Sequence, residues 1–352
     1  MTTDQPANQR SNTPLLLKHP VADPAWLARL SEDIIEPGLP IVDPHHHFYD
    51  RPGDSYLLDD LLADLNSGHN VVATVFVQAY WSHRREGPEP LRPVGETDFI
   101  MTQVDEAARR GVPQRICAGV VAYADLCLGA AVEPVLAAQA QAAKGRLRGI
   151  RNIAARDPGF LASISTPPAF GMMGSPAFRE GFAMLAKHGL SFDAWVYHPQ
   201  IPQLTDLARA FPRVPIVLNH IGGPLGCGPY RGKRREVFED WRRSMRELAS
   251  CQNVHMKLGG LGMALGGFDF HDRPLPPSSG ELEAAWGPYL LAVIEAFGVE
   301  RCMFESNFPV DKCSYSYPFI WNAFKRMVSG ATADEKAALF HGTATRFYSL
   351  QP

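Results

Sequence analysis

Eight short apolar runs, each followed by a stretch with helical spacing, constrain this chain more than any other feature. The runs lie at 40–43, 71–78, 115–121, 147–152, 190–196, 215–219, 254–258 and 301–305. Most are rich in Val, Ile or Phe, as parallel strands are when both faces are covered. Helical patterns occupy 96–110, 132–144, 176–188, 200–210, 234–250 and 281–297, with further helices expected at 55–65 and 316–328. This alternation predicts an α/β fold, a (β/α)8 TIM barrel with an N-terminal extension and long βα loops. Residues 1–38, with their Pro, Asn and Asp, read as the extension, and 39–352 as the barrel. Gly- and Pro-rich stretches at 222–232 and 259–280 follow the sixth and seventh strands, which places them on the rim where such barrels work. Thr332-x-x-Glu335 has the form of a capping box opening a last short helix.

Bulk properties narrow the class. The chain has 352 residues, 20% of them charged, and a formal net charge of -3, without the basic face of a nucleic-acid binder. Its densest basic run, Arg231 to Arg235, is followed at once by Glu236, Glu239 and Asp240 and reads as a solvated helix start. No uninterrupted apolar stretch reaches the roughly 18 residues of a membrane span. The polar stretch 1–14 lacks the basic-then-apolar order of a secretory signal. Six cysteines with no CxxC pair are expected to be reduced thiols, which points to a cytoplasmic location. The expected partner is a small molecule, with neither nucleic acid nor membrane, and a homo-oligomer is compatible with the sequence.

The strongest local signal is Ile41-Val-Asp-Pro-His45-His46-His47. Side chains alternate along a strand, so His45 and His47 share a face while His46 points elsewhere. Two imidazoles at the end of a first barrel strand can chelate a divalent cation or bind an oxyanion. The fifth strand leads into Tyr197-His198-Pro199 and the sixth into Asn219-His220-Ile221-Gly222-Gly223-Pro224, which brings two more imidazoles to the same rim. Zinc or manganese accepts such nitrogens, and His45, His47 and His198 form the candidate metal set. Arg148, Arg151 and Lys257 are unusual as strand residues, because buried cations need partners. A substrate carboxylate or oxyanion would serve, as would an internal ion pair with Glu305 or Asp193. Arg151 is the preferred anion binder, since a guanidinium grips a carboxylate with two parallel bonds. Trp81, in the loop after the second strand, and Tyr197 are further candidates for substrate contact.

The His45-x-His47 element, the His220-Ile-Gly-Gly-Pro224 element and Phe304-x-Ser-x-x-Pro309 together resemble the amidohydrolase superfamily. Within it they resemble the second amidohydrolase group, which contains sugar-lactone and pyrone-dicarboxylate lactonases and zinc-dependent decarboxylases. Leu147-Arg148-Gly149-Ile150-Arg151, Met256-Lys257-Leu258-Gly259 and the ending Thr345-Arg-Phe-Tyr348 look like the lactonase branch. The resemblance spans about residues 38 to 350. It implies a hydrolase opening a lactone, of a small anionic, sugar-derived or aromatic-catabolic compound, by water attack. Metal-dependent decarboxylation or amide hydrolysis is the alternative, and a non-catalytic ligand-binding barrel is a third reading.

One departure stands out. The family usually ends its eighth strand in Phe-Gly-Ser-Asp, whose Asp is a metal ligand or general base, and this chain has Asn307 there. An amide takes no proton and brings a metal no charge, so an ion held here would be weakly held. The metal-independent lactonases of the branch are the alternative. Glu305, in place of the family's Gly, can take over the carboxylate's role or serve as half of a barrel ion pair. The expected catalytic set is therefore His45, His47, His220, Glu305 and Asn307.

Overall fold

The fold is seen in a computed structural model, which describes residues 15–17, 19–162 and 167–351. Residues 1–14 of the expected extension lie outside the described residues. Strands β1 (Pro40–His46), β2 (Asn70–Val77), β3 (Arg115–Ala122), β4 (Leu147–Ile150), β5 (Ser191–Ala194), β6 (Ile216–Leu218), β7 (Val254–Leu258) and β8 (Cys302–Phe304) form one parallel sheet in chain order. The sheet closes where the residues after β8 meet β1. His47 N–H donates to Phe308 O at 2.8 Å, and Asn307 N–H donates to His45 O at 3.0 Å. The result is a (β/α)8 barrel.

Alternation along the strands sorts the core into two layers. Val42, Val75, Val77, Val121, Val217 and Met303 point inward and pack on one another. Their neighbours Ile41, Phe76, Val120, Ile216 and Leu218 point outward, against the surrounding helices. The helices follow the expected pattern with shifts of a residue or two, as at Val94–Arg109 and Ser279–Phe297. One expectation changes. The helix proposed from residue 55 begins at Leu58, because Asp54–Tyr56 pairs antiparallel with Tyr49–Arg51. Pro52-Gly53 makes that hairpin, with Gly53 at φ 78°, where a side chain is disfavoured. Thr332 and Glu335 exchange the two bonds of a capping box, at 2.8 and 3.3 Å between backbone N–H and side chain. Among the described residues no helix is long and apolar enough to cross a membrane.

The C-terminal segment fills the end of the barrel opposite the βα loops. Phe347 packs on His255, near the start of β7, with ring centres 4.8 Å apart. Tyr348 and Leu350 join the inner apolar layer. The Tyr348 hydroxyl meets both carboxylate oxygens of buried Asp193, at 3.0 and 2.9 Å. Asp193 also takes an ion pair from Lys257 Nζ at 2.7 Å and a bond from Asn219 Nδ2 at 3.1 Å. The barrel floor is thus a fully buried charged pair, capped from below by a phenol. Hydrogen bonds to charged groups contribute about 1.5–3 kcal/mol. Tyr348→Phe is expected to lower unfolding free energy by about that amount, read as a drop in urea midpoint at constant m. An unchanged midpoint would show that Asp193 does not depend on the phenol.

Candidate active site

At the C-terminal end of the barrel a carboxylate sits between two imidazoles. Glu305 follows β8 and has no exposed surface. Its Oε1 accepts from the backbone N–H of His220 at 3.0 Å and lies 2.7 Å from His220 Nδ1. Its Oε2 lies 2.7 Å from His45 Nδ1, but off the line of any donor, so it has no well-aligned partner. Two glycines make room for this arrangement. A Cβ at Gly259 would lie 2.4 Å from Glu305 O, and one at Gly260 would lie 2.3 Å from His220 Nδ1. The Gly pair after Lys257-Leu258 is therefore required by the close approach of β7, β6 and β8. His220 itself sits at φ 53° in a left-handed turn, which directs both its N–H and its ring at Glu305.

Proton positions follow from the partners. His220 Nδ1 facing a carboxylate carries the hydrogen, which leaves Nε2 with a lone pair and, among the described residues, no hydrogen-bond partner. His45 Nε2 lies 3.3 Å from Arg151 Nη1 and its Nδ1 lies 3.3 Å from Lys257 Nζ. A neutral imidazole accepts at one nitrogen only. With Nε2 accepting from Arg151, the proton on Nδ1 lies against Glu305. His47 donates from Nδ1 to Val77 O at 2.7 Å, and its Nε2 lies 3.3 Å from Asn307 Oδ1. Burial holds all three imidazoles well below their ordinary pKa. Lys257 adds most to this at His45, and Arg151 at His47 and His220. The same burial pushes the Glu305 carboxyl up to about 8, against the pull of Lys257 and the His220 N–H.

Arg151 follows β4 and reaches the middle of this group. It donates to Gln78 O and, at 3.5 Å, to Asn219 Oδ1, while its Nε has no partner among the described residues. A buried guanidinium N–H left unpaired is uncommon and marks a candidate ligand contact. Glu96, from the helix after β2, accepts from Ala79 N at 2.8 Å and Trp81 N at 2.9 Å and so shapes the loop beside it.

The structure brings together His45, His47, His220, Glu305, Asn307, Arg151 and Lys257. The other expected residues lie elsewhere. His198 takes a bond from Leu225 N at 3.3 Å and packs on Tyr230. Among the described residues, the groups that could share an ion are His45–His220–Glu305 and Asp269–His271–Asp272, and His198 and His47 are in neither. Arg148 turns its guanidinium to Gly145 O and Leu147 O, at the start of β4, away from the rim. Tyr197 is buried against Trp195, whose indole meets the His220 ring, and Trp81 is half-buried. Sequence reasoning missed Asp311, Asn219 and Glu96. Only Asn219, beside His220 in the chain, carried a local signal.

The group His45–His220–Glu305 suits a divalent ion in donor type, two nitrogens and an oxygen within 4.8 Å of one another. The unaligned Glu305 Oε2 is a free buried acceptor for it. Lys257 and Arg151, both against His45, oppose a further positive charge.

A family model described as amidohydrolase matches residues 42–350. The chain belongs to the amidohydrolase family. This amidohydrolase is 35% identical to the uncharacterized protein y4mH of Sinorhizobium fredii over 335 residues, covering 89% of this chain and 99% of that protein. It is 26% identical to an L-fucono-1,5-lactonase of Burkholderia multivorans over 324 residues, covering 88% of this chain and 96% of the lactonase. A crystal structure of a Burkholderia multivorans amidohydrolase with bound zinc superposes with a TM-score of 0.68 at 26% identity, covering 88% of this chain and 99% of that one. The amidohydrolase is thus an enzyme, a hydrolase on the eight-stranded barrel.

The raised Glu305 carboxyl has a consequence for stability. Its folded pKa lies above the unfolded value, so its ionisation destabilises the native state as pH rises from about 4.5 to about 8, and no further beyond. Glu305→Gln lacks that dependence. The melting temperature of the natural protein minus that of the variant should therefore fall through this window and level off above it. A difference constant with pH would show that Glu305 titrates as an ordinary carboxylate.

Proposed function

We propose that this enzyme opens a lactone of a small anionic or polyhydroxylated compound, with a sugar-acid 1,5-lactone as the first candidate. The reading is carried by the Glu305–His220 pair, a buried carboxylate holding an imidazole with its outer nitrogen free, beside the unpaired Nε of Arg151. The lactonase among the relatives supports the choice of ester.

Water attacks the lactone carbonyl carbon as His220 Nε2 takes one of its protons. Ionised Glu305 stabilises the imidazolium that forms, and the Arg151 Nε–H donates to the carbonyl oxygen as it becomes an oxyanion. Collapse breaks the ring C–O bond, and His220 returns its proton to the leaving alkoxide. The products are a carboxylic acid, which ionises in solvent, and a free hydroxyl. Lys257 stays paired with Asp193 and keeps His45 neutral, so that His45 can accept from Arg151 and steady it. A divalent ion would be held weakly by His45, His220 and Glu305 and would polarise the carbonyl or acidify water.

Activity on L-fucono-1,5-lactone, followed by release of acid, tests this reading. Losing a general base costs about 10²–10⁴-fold in rate, and losing an oxyanion donor about 10²–10³-fold. His220→Ala and Arg151→Ala are expected in these respective ranges, and His45→Ala and His47→Ala below about a tenth of the natural rate. A His220→Ala enzyme of nearly full activity would remove the imidazole from the chemistry. The rate should rise with pH towards about 8 as Glu305 ionises. Dialysis against a chelator, with elemental analysis before and after, should strip any bound ion while circular dichroism is unchanged. An ion that survives dialysis in stoichiometric amount would contradict weak binding.

A further inference from the structure

An amide side chain has two ends that differ in sign, and nothing intrinsic to Asn307 decides which end faces the site. Asp311 decides it. This residue lies in the turn after β8 and is fully buried. Its Oδ2 accepts from Gly262 N–H at 3.0 Å and from the Tyr315 hydroxyl, and its Oδ1 accepts from Asn307 Nδ2 at 2.9 Å. With Asp311 ionised, a flipped amide would set its carbonyl oxygen against a carboxylate oxygen with no hydrogen between them; burial pushes this carboxyl up to about 7, so the preference is full above that pH. The Asn307 Oδ1 is therefore the end that faces His47 Nε2, at 3.3 Å. His47 has committed its Nδ1 hydrogen to Val77 O, so Nε2 is also an acceptor. Two acceptors facing each other at this separation repel until a hydrogen is placed between them.

We propose that Asp311 is a positioning residue, which orients the Asn307 amide so that Asn307 Oδ1 and His47 Nε2 share one O–H of the attacking water. The other O–H is then left for His220 Nε2, and the oxygen lone pair for the carbonyl carbon. A carboxylate at 307 would present an acceptor in either orientation and need no such partner. In this chain the amide stands in the site, and the carboxylate that gives it direction stands behind it. The kinetic part of the proposal rests on the lactone-hydrolase reading, and the spectroscopic part does not.

Asp311→Asn keeps its carbonyl oxygen on Gly262 N–H and the Tyr315 hydroxyl, so its NH2 faces Asn307 and reverses the preference. It is expected to lower kcat on L-fucono-1,5-lactone about tenfold or more while KM changes less than about twofold, because the loss concerns the nucleophile and not substrate binding. In an Asn307→Ala background the same change should cost less than about twofold in kcat, since nothing remains to be oriented. Equal losses in both backgrounds would overturn the proposal, because a residue that only supports the fold acts additively. In the natural protein the Asn307 side-chain amide, assigned by its disappearance in Asn307→Ala, should appear downfield in a 15N–1H spectrum and exchange slowly with solvent. An undisplaced, fast-exchanging signal would overturn the proposal whether or not the lactone is turned over and whether or not Asp311→Asn folds. Absence of lactone turnover with a displaced, protected amide would instead count against the substrate alone.

Discussion

A carboxylate with no exposed surface is stable in a protein interior only when donors surround it, and Glu305 imposes that demand on three strands at once. Leaving a buried charge without partners costs several kcal/mol. The donors come from the end of β6, as the N–H and ring of His220, while the ring of His45 from β1 lies 2.7 Å from the other oxygen. These strands must therefore stand in one register relative to β8. Asp43 enforces it at the seam of the barrel. It accepts from Ser306 N–H at 3.1 Å and Ser306 Oγ at 2.5 Å, and from the Tyr317 hydroxyl at 3.0 Å. The Ser of Phe304-x-Ser-x-x-Pro309 is thus a clasp between the first and last strands, and the site is assembled by barrel closure itself.

Charge in the barrel is arranged in tiers. Lys257 and Asp193 form the lower one, closed from below by Tyr348. The three imidazoles and Glu305 form the next, with Arg151 among them. Isolated buried cations would be expensive, whereas alternating signs let each tier stabilise its neighbour. Because Lys257 and Arg151 both bear on His45, that imidazole stays neutral, and an added metal ion meets positive charge as well as lone pairs.

Much of this was legible along the chain. All eight strands appear where short runs of Val, Ile and Phe occur, since burial on both faces leaves that composition whichever fold uses it. His45 and His47 share a direction because strand periodicity is local, and His46 turns outward to Phe48 and Phe76 for the same reason. Ser55 and Tyr56 read as helix because their apolar spacing is too short to distinguish a hairpin from a first turn. Periodicity also misled beyond Phe304. Glu305 and Asn307 would share a face on a continuing strand, but the chain leaves the strand there and Asn307 takes a left-handed conformation at φ 55°.

What the sequence by itself determined is the barrel, the two-histidine element of its first strand and the family, all of which rest on local composition, spacing and motif. What only the tertiary structure decided is partnership. Glu305 meets His220 across 85 positions of chain, and Lys257 meets Asp193 across 64. His198, as well placed by spacing as His220, takes a bond instead from Leu225 N–H in the loop after β6. Arg148 lies in β4 and Arg151 directly after it, three residues on, yet one turns to the barrel's closed end and the other to its open mouth. Local pattern sets which way a side chain leaves the backbone, but the path of loops and the register of distant strands set what it finds there.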